Sequence, residues 1–145
     1  MTGRGPLRVL VVDDDPIVAG TIVSILKQHG FEATAVYSGE AAINQAAETR
    51  PDVLLTEVVM HGMTGIDAAI KIKELRPNCR VLLFSGNPAT VQLLAEAELQ
   101  GYTLEVLPKP LPPNVLIERL SSFTPDSGAC GFRSMWAADS SGCGH

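Results

Sequence analysis

The sequence has little cysteine and no long apolar run, and each shortage excludes a class of protein. Its three cysteines, Cys79, Cys130 and Cys143, are odd in number and widely spaced, which is typical of free thiols in a reducing compartment. No apolar stretch approaches the roughly 18 residues needed to cross a bilayer. The apolar run near the N-terminus meets acidic residues too soon for a signal peptide. We therefore expect a cytoplasmic protein without a membrane partner.

Positive charge is also scarce. The chain has 11 Lys and Arg against 16 Asp and Glu, which gives a net charge of −5. Binding to nucleic-acid phosphates needs clustered Lys and Arg, so the composition predicts no direct nucleic-acid partner. The length of 145 residues, with 46% hydrophobic and 19% charged residues, is typical of one globular domain.

Five apolar runs alternate with five helix-like segments. The predicted strands are residues 8–12, 32–36, 52–55, 80–84 and 103–107. Residues that favour helix starts follow them, namely Asp15 with Pro16, Ser38, Thr64, Asn87 with Pro88, and Pro112 with Pro113. Strands that alternate with helices across short loops predict a parallel sheet built from βαβ units.

The apolar patterns also predict the order of the strands. Runs one, three and four are apolar throughout, as in strands covered on both faces, whereas runs two and five alternate like edge strands. The order 2-1-3-4-5 puts those two runs at the edges and defines a flavodoxin-like, doubly wound (βα)5 fold. We expect this domain to span residues 7–123, after a flexible N-terminus at 1–6. Residues 124–145, rich in Gly, Ser and Ala, are expected to be a disordered tail, too short for a separate output domain.

Polar residues follow the ends of the predicted strands. They are Asp13, Asp14 and Asp15 after strand one, Glu57 after strand three, Ser85 after strand four, and Lys109 with Pro110 after strand five. In an open parallel sheet, ligands bind beyond these carboxyl ends, at the point where the strand order reverses. Clustered carboxylates need a positive partner, and Mg²⁺ prefers such oxygen ligands. Acids, metal, hydroxyl and ammonium together indicate a site that binds or transfers a phosphoryl group.

From about Leu7 to Phe123 the chain resembles the receiver domain of two-component response regulators, the CheY-like family. The resemblance is carried by "VLVVDDDP", "PDVLLTEVVMHGMTGID", "VLLFSGNP" and "LPKP", which occur in the family's order. It implies a non-enzymatic signalling protein in a phosphorelay, with a histidine kinase or another signalling protein as its partner.

The resemblance also implies a role for each residue at the strand ends. Weak Mg²⁺ binding is expected from Asp13, Asp14, Glu57 and the backbone of Val59, with Asp13 acting through water. Position 57 is the phosphoacceptor. The phosphoryl group is contacted by Ser85 and Lys109, and the bond between Lys109 and Pro110 is expected to be cis.

Four positions depart from the family pattern. The phosphoacceptor is usually Asp but is Glu57 here, and the switch position, usually aromatic, is Val106. His61 stands where proline is common, and Thr64 stands where an acid is frequent. Glu has one more methylene than Asp, about 1.5 Å of extra reach, so its carboxylate could meet Lys109 or Ser85 directly.

The substitution at position 57 leaves two hypotheses. A displacement of about 1 Å can cost roughly a hundredfold in rate, so the first hypothesis is a phosphate-independent or phosphomimetic interaction module, a pseudo-receiver. The alternative is a working, Mg²⁺-dependent phosphoryl acceptor for a histidine kinase, on Glu57 or a neighbouring Asp. An enzyme such as a flavin protein is disfavoured, because the acidic "DDDP" loop would repel a phosphate without a metal.

Overall fold

Strands and helices alternate along the whole domain. The computed structural model describes residues 6–102, 104–109 and 112–123. The strands are β1 (Arg8–Val12), β2 (Glu32–Val36), β3 (Val53–Glu57), β4 (Arg80–Ser85) and β5 (Glu105–Pro108). The helices are α1 (Pro16–Gln28), α2 (Gly39–Thr49), α3 (Gly65–Leu75), α4 (Ala89–Leu99) and α5 (Pro113–Ser121). These elements are the predicted ones, although β3 runs on to Glu57 and β5 begins at Glu105.

Side chains in the loops begin four of the helices. The Asp15 carboxylate accepts the backbone N–H of Ile17 at 3.0 Å, directly before a proline in the first turn of α1. Ser38, Thr64 and Asn87 accept backbone N–H groups at the starts of α2, α3 and α4. Each bond satisfies a donor that the helix itself cannot pair. The loops therefore fix where each helix leaves the sheet.

The strand order is β2-β1-β3-β4-β5, and all neighbouring strands are parallel. This confirms the predicted flavodoxin-like fold. Every residue of β3 and β4 is buried, whereas β2 and β5 at the edges are partly exposed, as their patterns predict. The register pairs Val12 with Thr56 and Glu57 with Phe84. The carboxyl ends of the three central strands therefore lie side by side.

Each face of the sheet carries its own core. Successive strand residues point to opposite faces, so the apolar residues of β1 divide between the cores. Val9 and Val11 pack toward α1 and α5, with Ile22, Leu26, Leu116 and Leu120. Leu10 and Val12 pack toward α2, α3 and α4, with Ala42, Ala46, Ile72 and Ala97. The two layers of helices cover both faces of the sheet and leave the carboxyl ends of the strands as an open edge.

A cluster around Phe123 fastens α5 to the sheet. The guanidinium carbons of Arg80 and Arg119 lie 5.1 and 5.4 Å from the centroid of the Phe123 ring. Arg119 also forms a two-point ion pair with Glu105 on β5. Arg80 is the first residue of β4, so this Phe123 cluster lies at the amino end of the strands.

Several predictions fall on residues outside the described ranges. These are the disordered tail at 124–145, the flexible N-terminus apart from Pro6, Thr103 at the start of the fifth predicted strand, and the cis bond at Pro110. The domain limits of 7–123 stay a prediction. Within the described ranges, no helix combines the length and the apolar character needed to cross a membrane.

Candidate functional site

Three strand ends bring Lys109, Glu57 and Asp13 into contact. The Lys109 ammonium forms an ion pair with Glu57 Oε1 and lies 3.6 Å from Asp13 Oδ2. It also lies 5.1 Å from the centroid of the Phe84 ring. The side chains of Glu57 and Asp13 are 8% and 3% exposed, so the attraction is little screened by water. The contact between Glu57 and Lys109 is the one that the extra methylene of glutamate was expected to allow.

The second oxygen of Glu57 is held by the turn after β3. Glu57 Oε2 accepts the backbone N–H of Val58 at 3.0 Å and that of Val59 at 3.4 Å. The turn is tight because Gly65 N–H donates to the Val58 carbonyl at 2.7 Å. A Cβ atom at Gly65 would overlap the carbonyl oxygen of Glu57. Both carboxylate oxygens of Glu57 are therefore occupied by donors from the chain.

Asp13 is the most deeply buried acid of the site. Its Oδ1 accepts the Asp15 N–H at 2.9 Å, while its Oδ2 is buried without a hydrogen-bond partner among the described residues. Burial raises the pKa of Asp13, and the Asp15 N–H and Lys109 oppose that rise. For Lys109, burial lowers the pKa, but the hydrogen bond and charge of Glu57 and the charge of Asp13 outweigh it, so the pKa is raised. One ammonium thus faces two buried carboxylates.

Asp14 is bonded to His61 and not to Lys109. Its Oδ2 accepts the His61 backbone N–H at 3.1 Å and the His61 Nδ1 at 2.8 Å. The pKa of Asp14 is lowered, chiefly by that backbone N–H, with burial opposing and the imidazole adding to the effect. The bonds connect the loop after β1 to the loop after β3, 47 residues apart. His61 was interpreted from the sequence as a loop residue in place of proline, so this contact was not predicted.

The Ser85 hydroxyl is bonded to Thr90, a contact that the sequence did not predict. The two hydroxyl oxygens are 2.6 Å apart, and Ser85 Oγ accepts the Asn87 N–H at 3.1 Å. Ser85 and Thr90 are 7% and 6% exposed. The Lys109 N–H donates to the Ser85 carbonyl at 3.1 Å. The end of β4 is therefore fastened both to the first turn of α4 and to the residue that follows β5.

The remaining predicted residues have no demonstrated role in the site. Val106 on β5 is half-buried and packs against the core under α4. The backbone of Val59 contacts Glu57 through its N–H, so metal contact through its carbonyl stays a prediction. Pro110 lies outside the described residues. The roles assigned to Glu57, Ser85, Lys109 and Val106 likewise stay predictions.

The predicted magnesium ligands are not arranged around a common point. Within residues 6–102, 104–109 and 112–123, no group of three or more His, Cys, Asp and Glu side chains is placed to hold a metal ion. Asp13 Oδ2, which has no hydrogen-bond partner among the described residues, is the kind of oxygen that binds Mg²⁺. However, Lys109 lies between Asp13 and Glu57, and His61 holds Asp14. As arranged, the residues do not fit a divalent ion.

Comparison with known proteins defines the class of this protein. The family model for the response regulator receiver domain matches residues 9–121. The chain belongs to this family, which confirms the family predicted from the sequence. Receiver domains generally bind Mg²⁺ at the phosphorylation site and are generally not enzymes.

Two curated relatives are about one-third identical to the chain. The probable transcriptional regulatory protein TcrX of Mycobacterium tuberculosis is 32% identical over 129 residues, which are 86% of this chain and 55% of TcrX. The DNA-binding response regulator MtrA of Mycolicibacterium smegmatis is 31% identical over 120 residues, 78% of this chain and 48% of MtrA. The chain thus spans about half the length of these relatives. Among solved structures, chemotaxis protein CheY4 of Vibrio cholerae is 26% identical and superposes with a TM-score of 0.68 over 81% of this chain and 98% of that one.

These relatives correct the predicted partners. The composition predicts no nucleic-acid partner, but MtrA is named a DNA-binding response regulator. That prediction is wrong, because it was drawn from the net charge of a chain that spans about half the length of its relatives. The net negative charge of this half does not show what the whole relatives bind.

Proposed function

We propose that this receiver domain takes part in two-component signalling without needing phosphorylation, with Glu57 standing at the phosphoacceptor position. The observation that carries the proposal is the ion pair between Glu57 and Lys109. By resemblance to the family, Lys109 contacts the phosphoryl group after transfer. Here a carboxylate of the protein already supplies negative charge to that ammonium, so Glu57 imitates part of the phosphorylated state.

The position of the Glu57 carboxylate also argues against its use as a nucleophile. In-line attack needs a carboxylate oxygen that is free and aligned with the donor. Oε1 is paired with Lys109, and Oε2 accepts from two backbone N–H groups. Attack would require one of these contacts to break inside a site where Glu57 is 6% exposed. The alternative function, a working acceptor for a histidine kinase, has to overcome this cost if the phosphoryl group goes to Glu57. An acceptor on a neighbouring Asp does not.

The proposed setting follows from the family and the relatives. We infer a cytoplasmic signalling role rather than an enzymatic one. Because the names of TcrX and MtrA describe transcriptional regulation and DNA binding, we include DNA-bound complexes among the settings of this domain. Weak Mg²⁺ binding at Asp13, Asp14, Glu57 and the backbone of Val59 is compatible with the proposal only if Lys109 or His61 gives way.

Treatment with acetyl phosphate and Mg²⁺ tests the proposal. We expect the intact mass of the wild type to stay unchanged and Glu57→Asp to gain the mass of one phosphate. Asp13, Ser85 and Lys109 remain in place in that variant, so a shorter carboxylate would return to the point they surround. Glu57→Gln is the matched control, because it keeps the length of the side chain and removes the nucleophile.

Each other outcome selects a different function. A phosphate on the wild type that disappears in Glu57→Gln would overturn the proposal and establish the alternative, an acceptor with an unusual residue. A phosphate on the wild type that persists in Glu57→Gln would place the acceptor on a neighbouring Asp. If neither the wild type nor Glu57→Asp is modified, the site lacks more than the correct acceptor length, and a pure scaffold role becomes the better explanation.

A further inference from the structure

His61 gives two donors to one oxygen of Asp14. Its backbone N–H and its Nδ1 lie 3.1 and 2.8 Å from Asp14 Oδ2. A carboxylate only accepts, so the imidazole must donate from Nδ1. The imidazole is fully exposed, whereas the Asp14 side chain is 27% exposed. The contact therefore lies at the solvent-exposed rim of the site.

The two donors compete with a divalent ion for the same lone pairs. Mg²⁺ needs oxygen ligands at about 2.0–2.1 Å in near-octahedral geometry. An oxygen that already accepts two N–H bonds has to release at least one of them to bind the ion. The backbone donor requires that residue 61 is not proline, since proline has no N–H. The side chain and the backbone of residue 61 thus make separable contributions.

We propose that His61 is an internal competitor for the predicted metal site, which holds Asp14 and keeps the affinity for divalent ions weak. The inference rests on the proposed assignment of Asp13, Asp14 and Glu57 to the receiver site, and concerns the capture of metal rather than of phosphate. Lys109 restrains the buried side of the site in the same way, through Asp13 and Glu57. His61 is the more accessible restraint, because its side chain can be removed without uncovering a buried charge.

A graded pair of substitutions tests the proposal on the full chain. His61→Ala removes the imidazole and keeps the N–H, and His61→Pro removes both donors. His29→Ala is the matched control, because the His29 Nδ1 bonds the Ile25 carbonyl at the end of α1, away from the site. Mg²⁺ affinity is measured by calorimetry, and Mn²⁺ affinity by the relaxation of water protons.

We expect the affinity to rise by roughly threefold in His61→Ala and roughly tenfold in His61→Pro, the scale of one and two solvent-exposed hydrogen bonds at the low end of their net range. His29→Ala should bind as the wild type does. Adding Asp14→Asn to His61→Ala should abolish the gain. Unchanged affinity in His61→Ala would overturn the proposal even if His61→Pro fails to fold.

The result is independent of the phosphorylation assay. Phosphate on the wild type would overturn the proposed function and leave the order of metal affinities as stated. Conversely, equal metal affinity in all variants would overturn the competition by His61 while Glu57→Asp could still gain phosphate.

Discussion

Replacing Lys109 by methionine would leave two buried carboxylates facing each other without their ammonium. Asp13 Oδ2 is 3.6 Å from the Lys109 nitrogen, where an effective dielectric constant near 20 gives a gross attraction of about 4–5 kcal/mol. Glu57 is closer still. The Lys109 side chain is 32% exposed, so water screens part of this attraction in the folded state. In the unfolded state, hydration of the separated charges offsets another part. Removing one partner of a buried pair typically costs about 3–5 kcal/mol, and we expect a loss of about 2–4 kcal/mol in the free energy of unfolding.

The loss should depend on pH in a defined direction. The pKa of Lys109 is raised on folding, so its stabilisation is fully present at neutral pH and is lost only as alkaline pH passes the folded value. The pKa of Asp13 is raised by burial and is held down in part by Lys109; without Lys109 it rises further. Protonation of Asp13 then relieves the repulsion as the pH falls. The deficit of Lys109→Met should therefore be larger at about pH 7.5 than at about pH 5.5.

Urea denaturation of the wild type and Lys109→Met at both pH values measures this deficit. Lys71→Met is the matched control on the exposed side of α3, and its free energy of unfolding should stay within about 0.5 kcal/mol of the wild type. Adding Glu57→Gln to Lys109→Met should recover part of the stability, because one of the two carboxylates is then neutral. A deficit below about 0.5 kcal/mol at pH 7.5, or one of equal size at both pH values, would refute the argument.

Two other substitutions test how the turn and the β4 end are built. Gly65→Ala places a Cβ atom on the Glu57 carbonyl oxygen and should lower the free energy of unfolding by about 2 kcal/mol or more. Gly20→Ala, in open space within α1, is the control and should be neutral or stabilising in the same urea assay. Equal stability of the two variants would contradict the close approach of Gly65 to Glu57. Thr90→Val removes a hydroxyl bonded to Ser85 at 2.6 Å and should cost about 1–2 kcal/mol, while Thr90→Ser should retain most of the stability. A Thr90→Val protein as stable as Thr90→Ser would show that this bond contributes nothing.

The sequence predicted the sheet well because the burial of a strand determines the pattern of its apolar residues. The unbroken apolar runs of β3 and β4 and the alternating runs of β2 and β5 identify central and edge strands. Parallel strands bring their carboxyl ends to one edge, so Asp13, Glu57 and Lys109 could be expected to meet. Their contact follows from topology and needs no knowledge of loop geometry.

The partners of Asp14 and Ser85 could not be predicted in the same way. The bond between Asp14 and His61 depends on how two loops, 47 residues apart, turn after their strands. No periodic pattern encodes that turn. The one usable signal was His61 in place of a common proline, since only a non-proline residue offers an N–H there. Thr90 has no distinguishing pattern in the first turn of α4. Its bond to Ser85 depends on the residue at which β4 ends.

The Phe123 cluster fixes the end of the sheet at which the chain leaves α5. Phe123 sits beside Arg80 at the amino end of β4, while Glu57 lies at the carboxyl end of β3 beside Phe84. The six residues of β4 separate these ends by about 17–20 Å, at roughly 3.3 Å per residue. The chain that follows Phe123 is thus attached at the amino end of the strands, opposite the end that carries the acids. Buried strands are close-packed and have low compressibility, so a displacement at one end of a strand is not absorbed along its length. The acids and that attachment are therefore connected through whole strands and helices, and the two arginines against the Phe123 ring join β4 and α5 at the attachment end.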